Sequence, residues 1–177
     1  SGFDDLVFLT GHLGEVIEAH FGNGAQFGVC ITHVRESEPL GTAGAVRSAR
    51  HLLNETFLVL YGDTLLDVDL AHFAAFHNDK GGLATLFVHP NDHPHDSDLL
   101  AADADRRIHG FFPKPHAPGV ILPNLVSAAL YMLDPAAIHA LPHRRRQLGF
   151  DEFVARNMSQ RGRPRAELGF LKPVIRR

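Results

Sequence analysis

The sequence holds one cysteine, Cys30, among 177 residues, and no tryptophan. A single thiol excludes an internal disulfide and a four-cysteine zinc site alike. Long apolar runs are missing too: nothing approaches the roughly 18 consecutive apolar residues that a membrane-spanning helix requires. Neither charge sign dominates, since 17 Lys+Arg against 20 Asp+Glu leave a net charge of −3 with His neutral. That balance gives no basic footprint for nucleic acid. The opening residues, Ser1-Gly2-Phe3-Asp4-Asp5, have neither the basic nor the apolar region of a signal peptide. The expectation is a soluble, cytoplasmic protein with no nucleic-acid or membrane partner. What is present is globular in kind, with 45% hydrophobic residues and enough length for one well-buried core. No Gly/Ser-rich linker interrupts the chain, so residues 1–177 are expected to form a single domain.

Apolar runs bounded by glycine predict strands at Leu6–Thr10, Gly28–Val34, Phe57–Tyr61 and Leu83–Val88, with Phe57–Tyr61 the clearest buried one. Helical spacing predicts helices over His12–Phe21, Ala43–Leu53 with Thr42 as cap, and from Asp69 through His77. Beyond Val88 the pattern changes. A Pro/His/Asp-rich loop, His89–Asp98, leads to strands at Leu99–Ala102, Ile108–Phe112 and Leu125–Leu133. Short helices at Ala136–Leu141 and Phe150–Met158 and a strand near Leu168–Leu171 complete the chain. Alternating strands and helices in the first half predict an α/β fold: a three-layer αβα sandwich around a Rossmann-like, mostly parallel sheet. The strand-rich second half is expected to extend that sheet with antiparallel strands.

In such a sheet ligands gather beyond the carboxyl ends of the strands. Gly62-Asp63 stands immediately past the strand Phe57–Tyr61, so Asp63 is a candidate ligand for Mg²⁺, a cation content with one or two carboxylates plus phosphate oxygens. The plainer alternative is that Asp63 shapes a turn while Asp67 or Asp69 caps the next helix. A second candidate is Glu36-Ser37-Glu38-Pro39-Leu40-Gly41-Thr42-Ala43-Gly44-Ala45, between a strand and a helix. Its glycines let backbone approach a flat ligand, and the free N–H groups of a first helical turn suit anions. As a bare pattern it is also an ordinary glycine-rich turn, neither a P-loop nor a dinucleotide fingerprint.

Other features read more blandly. His93, His95 and Asp96 could meet one transition metal, yet a Pro-rich polar loop is ordinarily a solvated turn. His72 and His77 lie five apart and do not share a helix face, which points to partial burial or capping. Arg144-Arg145-Arg146 reads as a solvated cluster before it reads as a phosphate site. His12 ends up on the site side, with helix-terminal packing as its plain role, and Cys30, in mid-strand, is expected in the core.

Taken together, ESEPLGTAGAVRSA, then FLVLYGDTLLDVDL, then HPNDHPHDSDLLAADADRRIHGFFPKPH and NLVSAALYMLDP resemble the sugar-1-phosphate nucleotidyltransferases. The likeness is greatest to the bacterial branch acting on mannose or heptose 1-phosphate with GTP, and it runs from about residue 3 to about residue 140. It implies that Glu36, Pro39, Leu40, Gly41 and Thr42 lie against the base. By the same resemblance Gly62-Asp63 is the family's Gly-Asp pair, Asp63 holding Mg²⁺. Lys114, in Phe111–Pro115, sits near the sugar phosphate, and Ser127 takes the place of a family Asn. The implied reaction is in-line attack of a sugar 1-phosphate oxygen on the α-phosphorus of a nucleoside triphosphate, with Asp63 and Lys114 as catalytic groups.

The resemblance also implies parts outside this sequence: a first strand, a Gly-Gly-x-Gly-Thr-Arg loop gripping the triphosphate, and a Lys-Pro segment. The family's second metal carboxylate does not follow Phe170-Leu171-Lys172, where Pro173 stands, and Pro113 replaces a family Glu. Either the chain is a fragment or another chain supplies these parts, and little or no turnover is expected from this polypeptide by itself. Loss of a central strand would expose sheet edges, which favours association, including homo-oligomers. The competing functional class is a degenerate, non-catalytic domain that binds a nucleotide sugar or regulates an active partner.

Overall fold

A computed structural model describes residues 2–139, 149, 150 and 153, and the backbone of 165–168. The chain enters along β1 (Asp5–Thr10), turns through α1 (Gly14–Phe21) and returns along β2 (Cys30–Arg35), parallel to β1 from Asp5↔Cys30 to Thr10↔Arg35. Helix α2 (Thr42–Ser48) and a 3-10 turn lead to β3 (Phe57–Leu60), and α3 (Leu70–Lys80) leads to β4 (Ala84–His89). A hairpin of β5 (Leu99–Ala102) and β6 (Ile108–Phe112) follows, then the long β7 (Val126–Leu133), α4 (Pro135–His139) and β8 (Arg165–Leu168). Residues 140–148 and 169–177, and with them Arg144–Arg146, Leu171 and Pro173, lie outside the described residues. So does most of the expected helix 150–158.

The larger sheet has the order β3-β7-β4-β8. Strands β3, β4 and β8 run one way, and β7 runs against them. The antiparallel strand expected to extend the sheet is therefore inserted inside it, between β3 and β4. Side chains alternate across β4 and β7 as a pleated strand demands. Leu86, Val88, Tyr131 and Leu133 face one way, into a cluster with Ala43 and Val46 of α2 and Ile138 of α4. Phe87, Ala128, Leu130 and Met132 face the other way, against Phe73 of α3. Helices thus cover both faces of the sheet, and the αβα sandwich is borne out.

Burial follows strand position more closely than strand hydrophobicity. All of Ala84–Val88 is buried, because β4 has neighbours on both sides. The run Phe57–Tyr61 is half-buried instead, and Leu60 is 47% exposed. Among the described residues β3 pairs only with β7, and β1 only with β2. Among the described residues this apolar run is an edge, so it is not the best-buried strand. Cys30 also departs from expectation: it is exposed, because β2 begins with it and the preceding Gly28 (φ 71) closes a 3-10 turn.

Helix α1 starts later than its apolar spacing predicts, since Leu13 takes a left-handed conformation (φ 57) ahead of it. Helix α3 begins where predicted: the Asp69 side chain accepts from the N–H groups of Ala71 and His72, both at 3.0 Å. At its far end His77 is 4% exposed, and its Nδ1 lies 2.8 Å from Thr85 Oγ1, itself buried. His72 stays exposed on the same helix. Burial pushes the His77 pKa down, with nearby Asp134 opposing more weakly. The neutral form is therefore the folded form, while the unfolded chain takes up a proton near the ordinary value of about 6.5. Its contribution to stability is present above that pH and is lost as pH falls below it. Urea midpoints measured at successive pH values are expected to drop less on acidification in His77→Gln than in the unaltered chain. Equal slopes would refute this.

Among the described residues no helix is long and apolar enough to cross a membrane.

Candidate functional site

Strand direction brings several candidate residues to one end of the larger sheet. Leu60 pairs with Leu130 and His89 with Val126, so the carboxyl ends of β3 and β4 and the start of β7 lie together. Gly62-Asp63 leaves this end just past β3. Asp63 is exposed, and its one hydrogen bond among the described residues is a long one from Thr64 Oγ1, 3.4 Å. A Cβ built on Gly62 would meet nothing within 4 Å, which leaves open space beside the carboxylate.

Lys114 and Ser127 line one cavity of about 630 Å³ at this end, with His89, Asn91, Asp96 and Asp98. Asp63 is not among the residues lining it. The cavity wall is a loop tied down by its own polar side chains. Asn91 Nδ2 donates to Ser97 Oγ at 2.7 Å, and Asn124 Nδ2 donates to the Asn91 carbonyl at 2.6 Å. His116 Nε2 lies 2.8 Å from the Ser97 carbonyl. Lys114 is held at both ends: its backbone N–H donates to Asp98 Oδ1 (2.9 Å) and its ammonium to the Asp96 carbonyl (3.0 Å). The ammonium also lies 3.5 Å from Asp96 Oδ1, an exposed pairing that water screens and an incoming anion can displace.

The Glu36–Thr42 segment connects β2 to α2. Gly41 (φ 73) takes a conformation that side chains resist, and Thr42 is the first helical residue, not the cap. Its hydroxyl oxygen instead accepts the N–H of Phe150 at 3.3 Å. A Cβ at Gly44 would come within 2.7 Å of Leu40 Cβ, so glycine there lets the turn close onto the helix. Pro39 is exposed and Leu40 half-buried on that turn. The Glu36 carboxylate stands beside the end of β1, where a Cβ on Gly11 would be 3.8 Å from Oε2. Its Oε1 is buried with no hydrogen-bond partner. Burial raises the Glu36 pKa, and the Leu40 backbone N–H pulls the other way. A buried acceptor left unmatched is costly.

Some features join no site. Among the described residues no group of three or more His, Cys, Asp or Glu could hold a metal, so His93, His95 and Asp96 do not form the transition-metal site weighed from sequence. His93 pairs instead with Asp92 at 2.6 Å on the surface, where this contact lowers the Asp92 pKa. Conversely, Asn91 and Asn124 join at the cavity wall without any spacing signal in the sequence, being 33 residues apart.

A family model described as nucleotidyl transferase matches residues 1–168. The chain belongs to the nucleotidyl transferase family. Among curated relatives, this nucleotidyl transferase chain is 30% identical over 155 residues to a UTP–glucose-1-phosphate uridylyltransferase of Synechocystis, covering 80% of the chain and 40% of the relative. It is 30% identical over 146 residues to a mannose-1-phosphate guanylyltransferase of Mycobacterium tuberculosis, covering 82% and 40%. The chain thus spans about two fifths of the length of these relatives. The crystal structure of HddC from Yersinia pseudotuberculosis shares this chain's fold, with a TM-score of 0.74 at 20% identity, over 94% of this chain and 70% of that one.

Proposed function

We propose that the chain serves the coupling of a sugar 1-phosphate, of the mannose or heptose type, to GTP. The products are a nucleotide sugar and pyrophosphate. In this reading a phosphate oxygen of the sugar 1-phosphate bonds to the α-phosphorus, and the bond from that phosphorus to the pyrophosphate leaving group breaks. The observation that carries it is the gathering of Gly62-Asp63, Lys114 and Ser127 at one sheet end, the last two on a single cavity.

Roles follow from the chemistry of each group. Lys114 pairs with the sugar phosphate once it exchanges Asp96 for the anion, and Ser127 hydrogen-bonds sugar hydroxyls. The Glu36–Thr42 turn lies against the base, with Pro39, Leu40 and Gly41 as its flat support. A single exposed carboxylate suits Mg²⁺, which keeps its waters and arrives with phosphate oxygens. Bound at Asp63, Mg²⁺ would neutralise charge on the transferring group.

Glu36 favours guanine over the pyrimidines. Its unmatched oxygen seeks a donor, and guanine presents two adjacent donors, N1–H and the 2-amino group, to an acceptor-only carboxylate. Uracil and thymine present one N–H flanked by two carbonyls that a carboxylate repels. Glu36→Gln is therefore expected to weaken GTP binding about tenfold and UTP binding much less. Titration of the chain with GTP, UTP and dTTP in Mg²⁺, followed by calorimetry and thermal shift, tests both statements. Binding of none of the three refutes the proposed function, and an unchanged GTP preference in the variant refutes the role of Glu36. Pyrophosphate release with mannose 1-phosphate then separates an enzyme from a domain that only binds nucleotide sugars.

A further inference from the structure

Three segments that the proposed function uses rest on one buried aromatic group. Tyr131, 1% exposed in the middle of β7, stacks on Phe150 with ring centroids 4.8 Å apart and an interplanar angle of 27°. The Phe150 backbone N–H is the group that Thr42 Oγ1 accepts. Tyr131 also meets the ring of Tyr61, with centroids 5.9 Å apart. Tyr61 directly precedes Gly62-Asp63, and its carbonyl accepts the N–H of Thr64 at 3.1 Å. The Tyr131 hydroxyl, finally, lies 3.1 Å from Ser127 Oγ, the hydroxyl that lines the cavity.

The backbone is bent to make this last contact. Between the pairs Leu86↔Tyr131 and Val88↔Ser127, β4 has one residue and β7 has three. Ala129 absorbs the excess in a left-handed conformation (φ 58) that an L-residue adopts at a cost. Two hydrogen bonds hold the bulge: Ala129 N–H donates to Ser127 Oγ (3.3 Å), and Tyr61 N–H donates to the Ala129 carbonyl (3.3 Å). A phenylalanine would fill the core at 131 equally well. The hydroxyl is what ties the cavity floor to the aromatic group.

We propose that Tyr131 is a positioning residue that fixes Ser127, through its hydroxyl, relative to the Thr42 and Asp63 segments carried by the same aromatic stack. The inference rests on the function proposed above. Tyr131→Phe keeps the ring and deletes the hydroxyl. Ser127→Ala removes the other partner. Calorimetric titration of the full chain with mannose 1-phosphate, and separately with GTP and Mg²⁺, reads the effect. Tyr131→Phe is expected to weaken mannose 1-phosphate about 3- to 10-fold and to leave GTP within about twofold. The double variant is expected to lose clearly less than the product of the two single losses, because both act through one contact. A residue that only packs would move both ligands alike or neither, and either result, or multiplicative losses in the double variant, overturns the inference. If the unaltered chain binds neither probe, the proposed function falls and this inference with it. Binding by the unaltered chain without the split defeats this inference alone.

Discussion

Asp63→Asn is expected to abolish the gain in GTP affinity that Mg²⁺ brings, a difference of about 10- to 100-fold measured with and without a chelator. The substitution preserves the side-chain shape and removes the charge. Perturbing groups that merely orient a ligand already costs roughly 10–100-fold in metal affinity, and a direct ligand costs no less. Asp69 is committed to capping α3, and among the described residues no group of three or more potential ligands could take over. The carboxylate is exposed and touches little, so stability is expected to change by less than about 0.5 kcal/mol. Affinity with and without Mg²⁺ that shifts equally in variant and unaltered chain would show that Asp63 only shapes its turn.

The residues that make this test possible were legible in the sequence because they sit at ends of apolar runs. A strand stopped by Gly62-Asp63 needs only local pattern to be seen, as does a helix capped by Asp69. Neighbour relations are another matter. Nothing in the run Phe57–Leu60 records that its other edge finds no partner among the described residues, nor that β7 comes between it and β4. Burial was therefore expected on the wrong strand, and Cys30, read as mid-strand, proved to be an exposed strand start. The site divides the same way. Lys114 and Ser127 were identified through family resemblance, but their meeting on one cavity depends on loop contacts such as Asn91 with Asn124. Thr42 was expected to cap its helix. Its actual partner, Phe150, lies 108 residues away, a distance no local periodicity encodes.

Phe73→Ala is expected to destabilise the fold by about 3–5 kcal/mol, the usual cost of emptying an aromatic site in a tight core. Helix α3 buries only two side chains, Phe73 and, one turn later, His77. Phe73 meets Phe87 edge to face at 5.9 Å and closes the smaller of the two clusters, over Ala128, Leu130 and Met132. Phe76 cannot substitute for it, since it lies away from that cluster under the Arg106 guanidinium, 5.4 Å from its ring centroid. With Phe73 gone, the helix keeps only the His77–Thr85 contact and the half-buried Leu70 and Ala74 against the sheet. Urea unfolding should therefore show a large fall in midpoint, and amide exchange should speed up along Leu70–Lys80 before it does along β4. A loss below about 1 kcal/mol would mean that α3 is held mainly by something other than this cluster. The layer that covers the second face of the sheet would then need a different explanation.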